Sequence, residues 1–189
     1  MPKQISSPMS EEEARQLKVG DAVLISGTLF TARDRAHLKL LSGQKFGISL
    51  SGHILYHCGP IAKKTAEGYK VISAAPTTSS RMNKYEPELM RKYGIRGIIG
   101  KGGMDARVLD TLKEHGAVYF STVGGTAALL AKSVVSVAGV YLKELGLPDA
   151  VWALNVKDLP AVVTMDSTGN SLHEDVKKRS EKKMGELIS

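Results

Sequence analysis

Cysteine is nearly missing from this sequence: Cys58 is the only one in 189 residues. That excludes an internal disulfide framework and agrees with a reducing compartment. It also excludes an iron–sulfur cluster held by this chain alone, because such clusters take several thiolates. A single thiol of this kind reads as an inert small core residue rather than a ligand or nucleophile. Aromatic residues are scarce at 5%, and no aromatic-plus-basic motif of an RNA-binding module is present, so nucleic acid is not the expected partner. No apolar run approaches the roughly 20 residues of a membrane span. The opening Met1-Pro2-Lys3-Gln4-Ile5-Ser6 lacks the apolar centre of a secretory signal. The expected location is the cytoplasm.

What is present is ordinary in bulk and uneven in detail. Hydrophobic residues make up 42% and charged residues 24%, as in soluble globular domains, and a chain of this size buries roughly 70% of its unfolded surface. The net charge of +7 fits either a solvated basic surface or cations gathered around an anionic ligand.

Short apolar runs alternate with helical stretches through the middle of the chain. Strands are expected at about residues 21–26, 53–58, 69–74, 97–100 and 117–122, and helices at about 9–19, 32–42, 83–93, 104–115 and 126–137. This alternation predicts an α/β core with a mostly parallel sheet. Two further strands, 151–156 and 161–166, are expected on either side of Lys157-Asp158-Leu159-Pro160. The stretch from Leu172 onward reads as a charged helix or tail, and residues 1–18 as an arm with little core of its own.

In an open parallel sheet, ligands collect beyond the carboxyl ends of the strands. Three such ends carry a cation beside glycines or hydroxyls: Arg33 after Gly27-Thr28-Leu29-Phe30-Thr31-Ala32, Arg81 after Pro76-Thr77-Thr78-Ser79-Ser80, and Lys101 within Gly100-Lys101-Gly102-Gly103. Arginine grips a carboxylate with two parallel hydrogen bonds and lysine supplies a mobile point charge. A small anion, a phosphate or a nucleotide fits these residues equally. Each also has a plainer reading. Arg33-Asp34-Arg35 can be an exposed ion network at a helix start, and Thr77 to Ser80 can simply cap a helix. Neither a phosphate-binding Gly-x4-Gly-Lys-Ser/Thr loop nor a Gly-x-Gly-x-x-Gly fingerprint occurs. His53 and His57, four apart and followed by Cys58, would share one face of a strand, but no further metal ligand stands nearby. No Gly-x-Ser-x-Gly elbow supports a serine nucleophile.

In combination, these segments are recognisable. Ser26-Gly27-Thr28-Leu29-Phe30-Thr31-Ala32-Arg33-Asp34-Arg35-Ala36-His37 resembles the opening signature of the class I fumarase C-terminal domain, found also as the beta subunit of tartrate dehydratase. Ile54-Leu55-Tyr56-His57-Cys58-Gly59-Pro60, Ala75-Pro76-Thr77-Thr78-Ser79-Ser80-Arg81-Met82 and Gly100-Lys101-Gly102-Gly103-Met104 match further blocks in the same order. The likeness runs from about Val19 to Gly169. One departure is Ser79-Ser80, where a small residue and a glycine are expected before the arginine.

The resemblance implies a swivelling β/β/α three-layer domain over residues 19–170, with a charged tail over 171–189. It implies one half of a hydro-lyase that hydrates fumarate to malate, or the tartrate dehydratase counterpart. A [4Fe–4S] cluster would be carried by a separate alpha subunit, without Cys58 as a ligand. Arg33, Arg81 and Lys101 look like the grips on the dicarboxylate, and Thr77 like the general base that works on the carbon beside a carboxylate. The rival readings are a non-catalytic dicarboxylate-binding module and a self-sufficient enzyme acting on a phosphorylated substrate.

Overall fold

A computed structural model of the chain describes residues 1–43 and 47–188. In chain order the elements are β1 (Lys3–Ser7), α1 (Glu11–Gln16), β2 (Ala22–Thr31), α2 (Asp34–Leu41), β3 (Ile54–Tyr56), β4 (Ile61–Thr65), β5 (Gly68–Ser73), α3 (Glu86–Tyr93), β6 (Gly97–Gly100), α4 (Ala106–His115), β7 (Val118–Ser121), α5 (Ala127–Ala131), β8 (Val134–Tyr141), β9 (Val151–Met165) and α6 (Leu172–Ile188). Short 3-10 turns occupy Ser79–Met82 and Lys143–Leu145.

The strands β2, β3, β6 and β7 lie side by side and parallel. Strand β9 then pairs antiparallel with both outer members of that row, β7 and β2. Because one strand joins both edges, these five close into a small barrel. Strand β1 adds in parallel to the first half of β2, and β8 adds antiparallel to the first half of β9. The β4–β5 hairpin stands apart.

The architecture is therefore mixed α/β with a partial barrel, which corrects the expectation of a mostly parallel sheet. Two local surprises account for it. The tetrapeptide Lys157-Asp158-Leu159-Pro160 does not separate two strands but lies inside the single strand β9. Asp158 takes a left-handed backbone (φ 51°) where the β2–β9 register shifts between Ile25 and Gly27, and its N–H bonds to Ser26 Oγ at 3.0 Å. A bulge thus absorbs what looked like a turn. Residues 126–137 do not form one helix. Helix α5 stops at Ala131, and the β-branched Val134, Val135 and Val137 belong to β8, as their stiff side chains favour.

Alternation along the barrel strands divides the core in two. Ile54, Tyr56, Ile99, Val118 and Phe120 point inward with Trp152 and Leu154. Leu55, Ile98 and Tyr119 point outward and pack beneath Leu40 of α2, Leu89 and Met90 of α3, and Val108 and Leu112 of α4. Truncating any of these leucines to alanine is expected to cost about 2–5 kcal/mol.

The first eighteen residues are tied into this body rather than lying beside it. Strand β1 runs in register from Lys3↔Val23 to Ser7↔Gly27, and a Cβ at Gly27 would collide with the Ser7 carbonyl. Ser10 and Glu13 cap α1 reciprocally, at 3.1 and 2.7 Å, and Met9, Ala14 and Leu17 enter the core.

Candidate functional site

Parallel strands deliver their carboxyl ends to one rim of the barrel. Strand β2 leads into Ala32-Arg33, β3 into His57, and β6 into Lys101. The segment after β5 is laid across that rim by backbone bonds: the Thr77 N–H donates to the His57 carbonyl at 2.7 Å, and the Ser79 N–H to the Lys101 carbonyl at 3.3 Å. Thr78 and Lys101 form a parallel bridge. The fold thereby brings Arg33, Thr77, Arg81 and Lys101, distant in sequence, to one edge.

Two contacts define the centre of the rim. Arg81 Nη2 donates to Thr77 Oγ1 at 2.7 Å and lies 3.5 Å from Asp34 Oδ2. Arg33 Nε is 3.6 Å from Asp149 Oδ1, beyond hydrogen-bond reach, and this buried N–H has no hydrogen-bond partner among the described residues. Arg35 also faces Asp149, at 3.9 Å. Lys101 is exposed. Three cations thus meet two carboxylates, and with Lys101 on the neighbouring strand end the rim keeps a local positive surplus suited to an anion. Gly59 makes room for one of them, because a Cβ there would lie 2.8 Å from both Cδ and Nη1 of Arg33.

Beneath the rim is a buried polar network that the sequence did not disclose. Glu86 Oε2 lies 2.9 Å from His37 Nε2 and 3.1 Å from His57 Nε2. His37 Nδ1 donates to the Arg33 carbonyl at 2.8 Å, so both ring nitrogens of His37 face acceptors. His57 Nδ1 is 2.9 Å from Ser79 Oγ. The Tyr119 hydroxyl is 2.8 Å from Ser79 Oγ and 2.9 Å from the Gly102 carbonyl oxygen. All five side chains are fully buried.

Burial alone would push the Glu86 carboxyl up, but the charge and hydrogen bond of His37, with the hydrogen bond of His57, outweigh it and hold it at about 2. Burial pushes His57 below its usual value despite Glu86, which favours a neutral ring. It then donates from Nε2 to Glu86 and accepts at Nδ1 from the Ser79 hydroxyl. Burial likewise raises the Tyr119 phenol, which keeps it a neutral donor.

His53 does not join His57. The strand between them is only Ile54–Tyr56, and His53 Nδ1 sits 3.1 Å from the Thr28 carbonyl oxygen with its ring edge-on to Phe30. The side chains that do meet His57 come from the first turns of two helices. Glu86 stands at a helix start, where an acid is commonplace, so no sequence signal marks it as buried.

Cys58 lies against Pro76 in an isolated bridge. It is fully buried, and burial pushes its thiol up to about 12 even with Arg33 nearby. A lone, enclosed and protonated thiol does not fit the ligand set of an iron–sulfur cluster.

A family model described as "Fumarase C-terminus" matches residues 3–176. A Geobacillus stearothermophilus protein named as a class I fumarate hydratase is 48% identical over 184 residues, covering 97% of this chain and 36% of that protein. A Methanocaldococcus jannaschii protein named as an L(+)-tartrate dehydratase subunit beta is 46% identical over 186 residues, 95% of each chain. The L(+)-tartrate dehydratase subunit beta of Escherichia coli K12 is 33% identical over 180 residues, with 94% of this chain and 90% of that one covered. The chain thus spans little more than a third of the first relative and nearly all of the other two.

Proposed function

The chain belongs to the fumarase C-terminal family, and from that premise we propose that it is the beta subunit of a [4Fe–4S]-dependent hydro-lyase, reversibly hydrating fumarate to L-malate. The observation that carries the reading is the Thr77 hydroxyl bonded to Arg81 at 2.7 Å, on a rim whose adjoining strand ends also bear Arg33 and Lys101.

The division of labour follows from what the chain holds. Cys58 does not fit the cluster; on this reading an alpha subunit carries it, and the activity requires both chains. Arg33 and Arg81 each take a carboxylate of the four-carbon substrate by charge-assisted hydrogen bonds. Lys101, exposed and flexible, supplies the third positive charge. These contacts fix the carbon beside one carboxylate against Thr77 Oγ1. In the direction of dehydration Thr77, as its alkoxide, would take the proton from that carbon while the hydroxyl on the neighbouring carbon would leave as hydroxide, for which the cluster on the partner would supply the Lewis acid; hydration would reverse both transfers. A threonine hydroxyl is a poor base in water; the guanidinium of Arg81 at its oxygen favours the anionic form, provided the site is dry. The mixed barrel with its outer helices would act as a swivelling β/β/α domain, carrying this rim onto the partner. The enzyme would work in the cytoplasm.

A second reading, the tartrate dehydratase beta subunit, is supported by the relatives at 46% and 33% identity, both of which carry that name. Tartrate and malate are both hydroxylated four-carbon diacids, and the same cations serve either. The test is a substrate comparison. The chain is reconstituted anaerobically with its cluster-bearing partner and kcat/KM is measured for fumarate, L-malate and L(+)-tartrate. A clear preference for fumarate and malate supports the first reading. A preference for tartrate replaces it with the second, and binding of dicarboxylates without turnover would reduce the chain to a binding module.

A further inference from the structure

Each segment that bears a rim residue is tied to the same buried carboxylate. Arg33 begins the segment whose carbonyl accepts from His37 at 2.8 Å. Thr77 is anchored by its N–H on the His57 carbonyl at 2.7 Å, and the turn carrying Arg81 is anchored through Ser79 Oγ, 2.9 Å from His57 Nδ1. Lys101 is anchored twice: its carbonyl accepts from the Ser79 N–H, and the carbonyl oxygen of its neighbour Gly102 lies 2.9 Å from the Tyr119 hydroxyl, whose one proton it shares with Ser79 Oγ. His37 and His57 converge on one oxygen, Glu86 Oε2, at 2.9 and 3.1 Å. The other oxygen, Oε1, is buried and has no hydrogen-bond partner among the described residues, so the carboxylate is aimed at the histidines alone.

We propose that Glu86 is the positioning residue of the rim: through His37, His57 and the Ser79–Tyr119 hydroxyls it holds the segments bearing Arg33, Thr77, Arg81 and Lys101 in mutual register. The inference rests on reading those four residues as the substrate contacts. Glu86 itself touches no substrate. Its effect is geometric, and displacements near 1 Å among catalytic groups cost on the order of 100-fold in rate.

Two variants separate this role from general stability. Glu86→Gln keeps the shape but faces one histidine N–H with an amide N–H. Tyr119→Phe keeps the ring and removes only the hydroxyl at Gly102 and Ser79. Amide hydrogen exchange on the full chain reads the loops directly, because the Thr77 and Ser79 N–H groups close the bonds described above. In both variants their exchange is expected to rise by roughly tenfold or more. The amides of Val118 and Val163, bonded to the Arg96 and Asp21 carbonyls, should hold their wild-type rates. In the reconstituted two-chain enzyme, KM for the dicarboxylate should rise and kcat fall together, by roughly 10- to 100-fold in kcat/KM for Glu86→Gln.

Unchanged exchange at Thr77 and Ser79 would overturn the proposal. So would an equal rise across the whole barrel, which marks a merely structural ion pair, and so would loosened loops with wild-type kinetics. If the wild-type pair turns over neither fumarate nor tartrate, the assignment of function fails, and the exchange data alone still decide whether Glu86 organises the rim.

Discussion

Replacing Arg81 with alanine removes one guanidinium and nothing from the core. Its side chain is 46% exposed, and its ion pair with Asp34 spans 3.5 Å, so stability should change by less than about 1 kcal/mol. The catalytic cost is of another order. Arg81 contributes the 2.7 Å bond to Thr77 Oγ1 and, in the proposed complex, a charge-assisted bond to a substrate carboxylate. At about 1.5–3 kcal/mol for each such bond, the loss is about 3–6 kcal/mol. At about 1.4 kcal/mol per decade, that is a fall of roughly 10²- to 10⁴-fold in kcat/KM. Arg81→Lys keeps the charge but loses the planar fork, and should fall between the variant and the wild type. The assay is steady-state loss of fumarate absorbance by the reconstituted pair, with thermal unfolding of the same preparations beside it. The reasoning is refuted if Arg81→Ala retains kcat/KM within about threefold of wild type, or if its activity disappears only in step with a collapse of the melting temperature.

Three further outcomes follow from the same geometry. Cys58, buried with a thiol at about 12, should resist alkylation in the native chain and react only on unfolding, and Cys58→Ala should leave the activity of the pair within about threefold; rapid labelling of the native thiol would contradict this. Acidification should destabilise the fold. Glu86, at about 2 against 4.5, stabilises fully above pH 4.5, and this is lost as pH falls toward 2, on the order of 3 kcal/mol. His57, also lowered from 6.5, acts in the same direction as pH falls below 6.5, so urea midpoints that stay flat from pH 7 down to about pH 2.5 would refute the buried network. Gly59→Ala would bring the new methyl to 2.5 Å from the Pro148 carbonyl oxygen and 2.8 Å from Cδ and Nη1 of Arg33, so it should both lower the melting temperature and raise KM; an unchanged KM in the folded variant would show that Arg33 is not held where its role requires.

Much of the rim was legible in the sequence because cations and glycines at strand ends are local signals. Arg33, Arg81 and Lys101 each follow an apolar run that does become a strand or flank one, and the fold gathers them. The closure of the sheet was not legible. It depends on β9 pairing with both β2 and β7, and nothing in residues 151–165 announces two partners. Pro160 and Asp158 suggested a turn, because a bulge and a turn use the same residues. Residues 126–137 suggested a helix, because alanines and leucines lead into the valines of β8. The Glu86 network escaped for a different reason. Its members come from α2, α3, the His57 loop, the 3-10 turn at Ser79 and β7, and each looks ordinary in its own segment. His37 and Glu86 resemble surface positions of a first helical turn until the fold encloses them.

The catalytic rim proposed for this chain is incomplete without a second chain. Its most direct test is to purify this chain without oxygen, supply iron and sulfide, and follow fumarate absorbance before and after adding the cluster-bearing partner. No turnover is expected from this chain alone, and activity should rise with added partner to a fixed ratio of the two. Turnover by this chain alone would contradict this, as would a partner that reaches full activity without this chain.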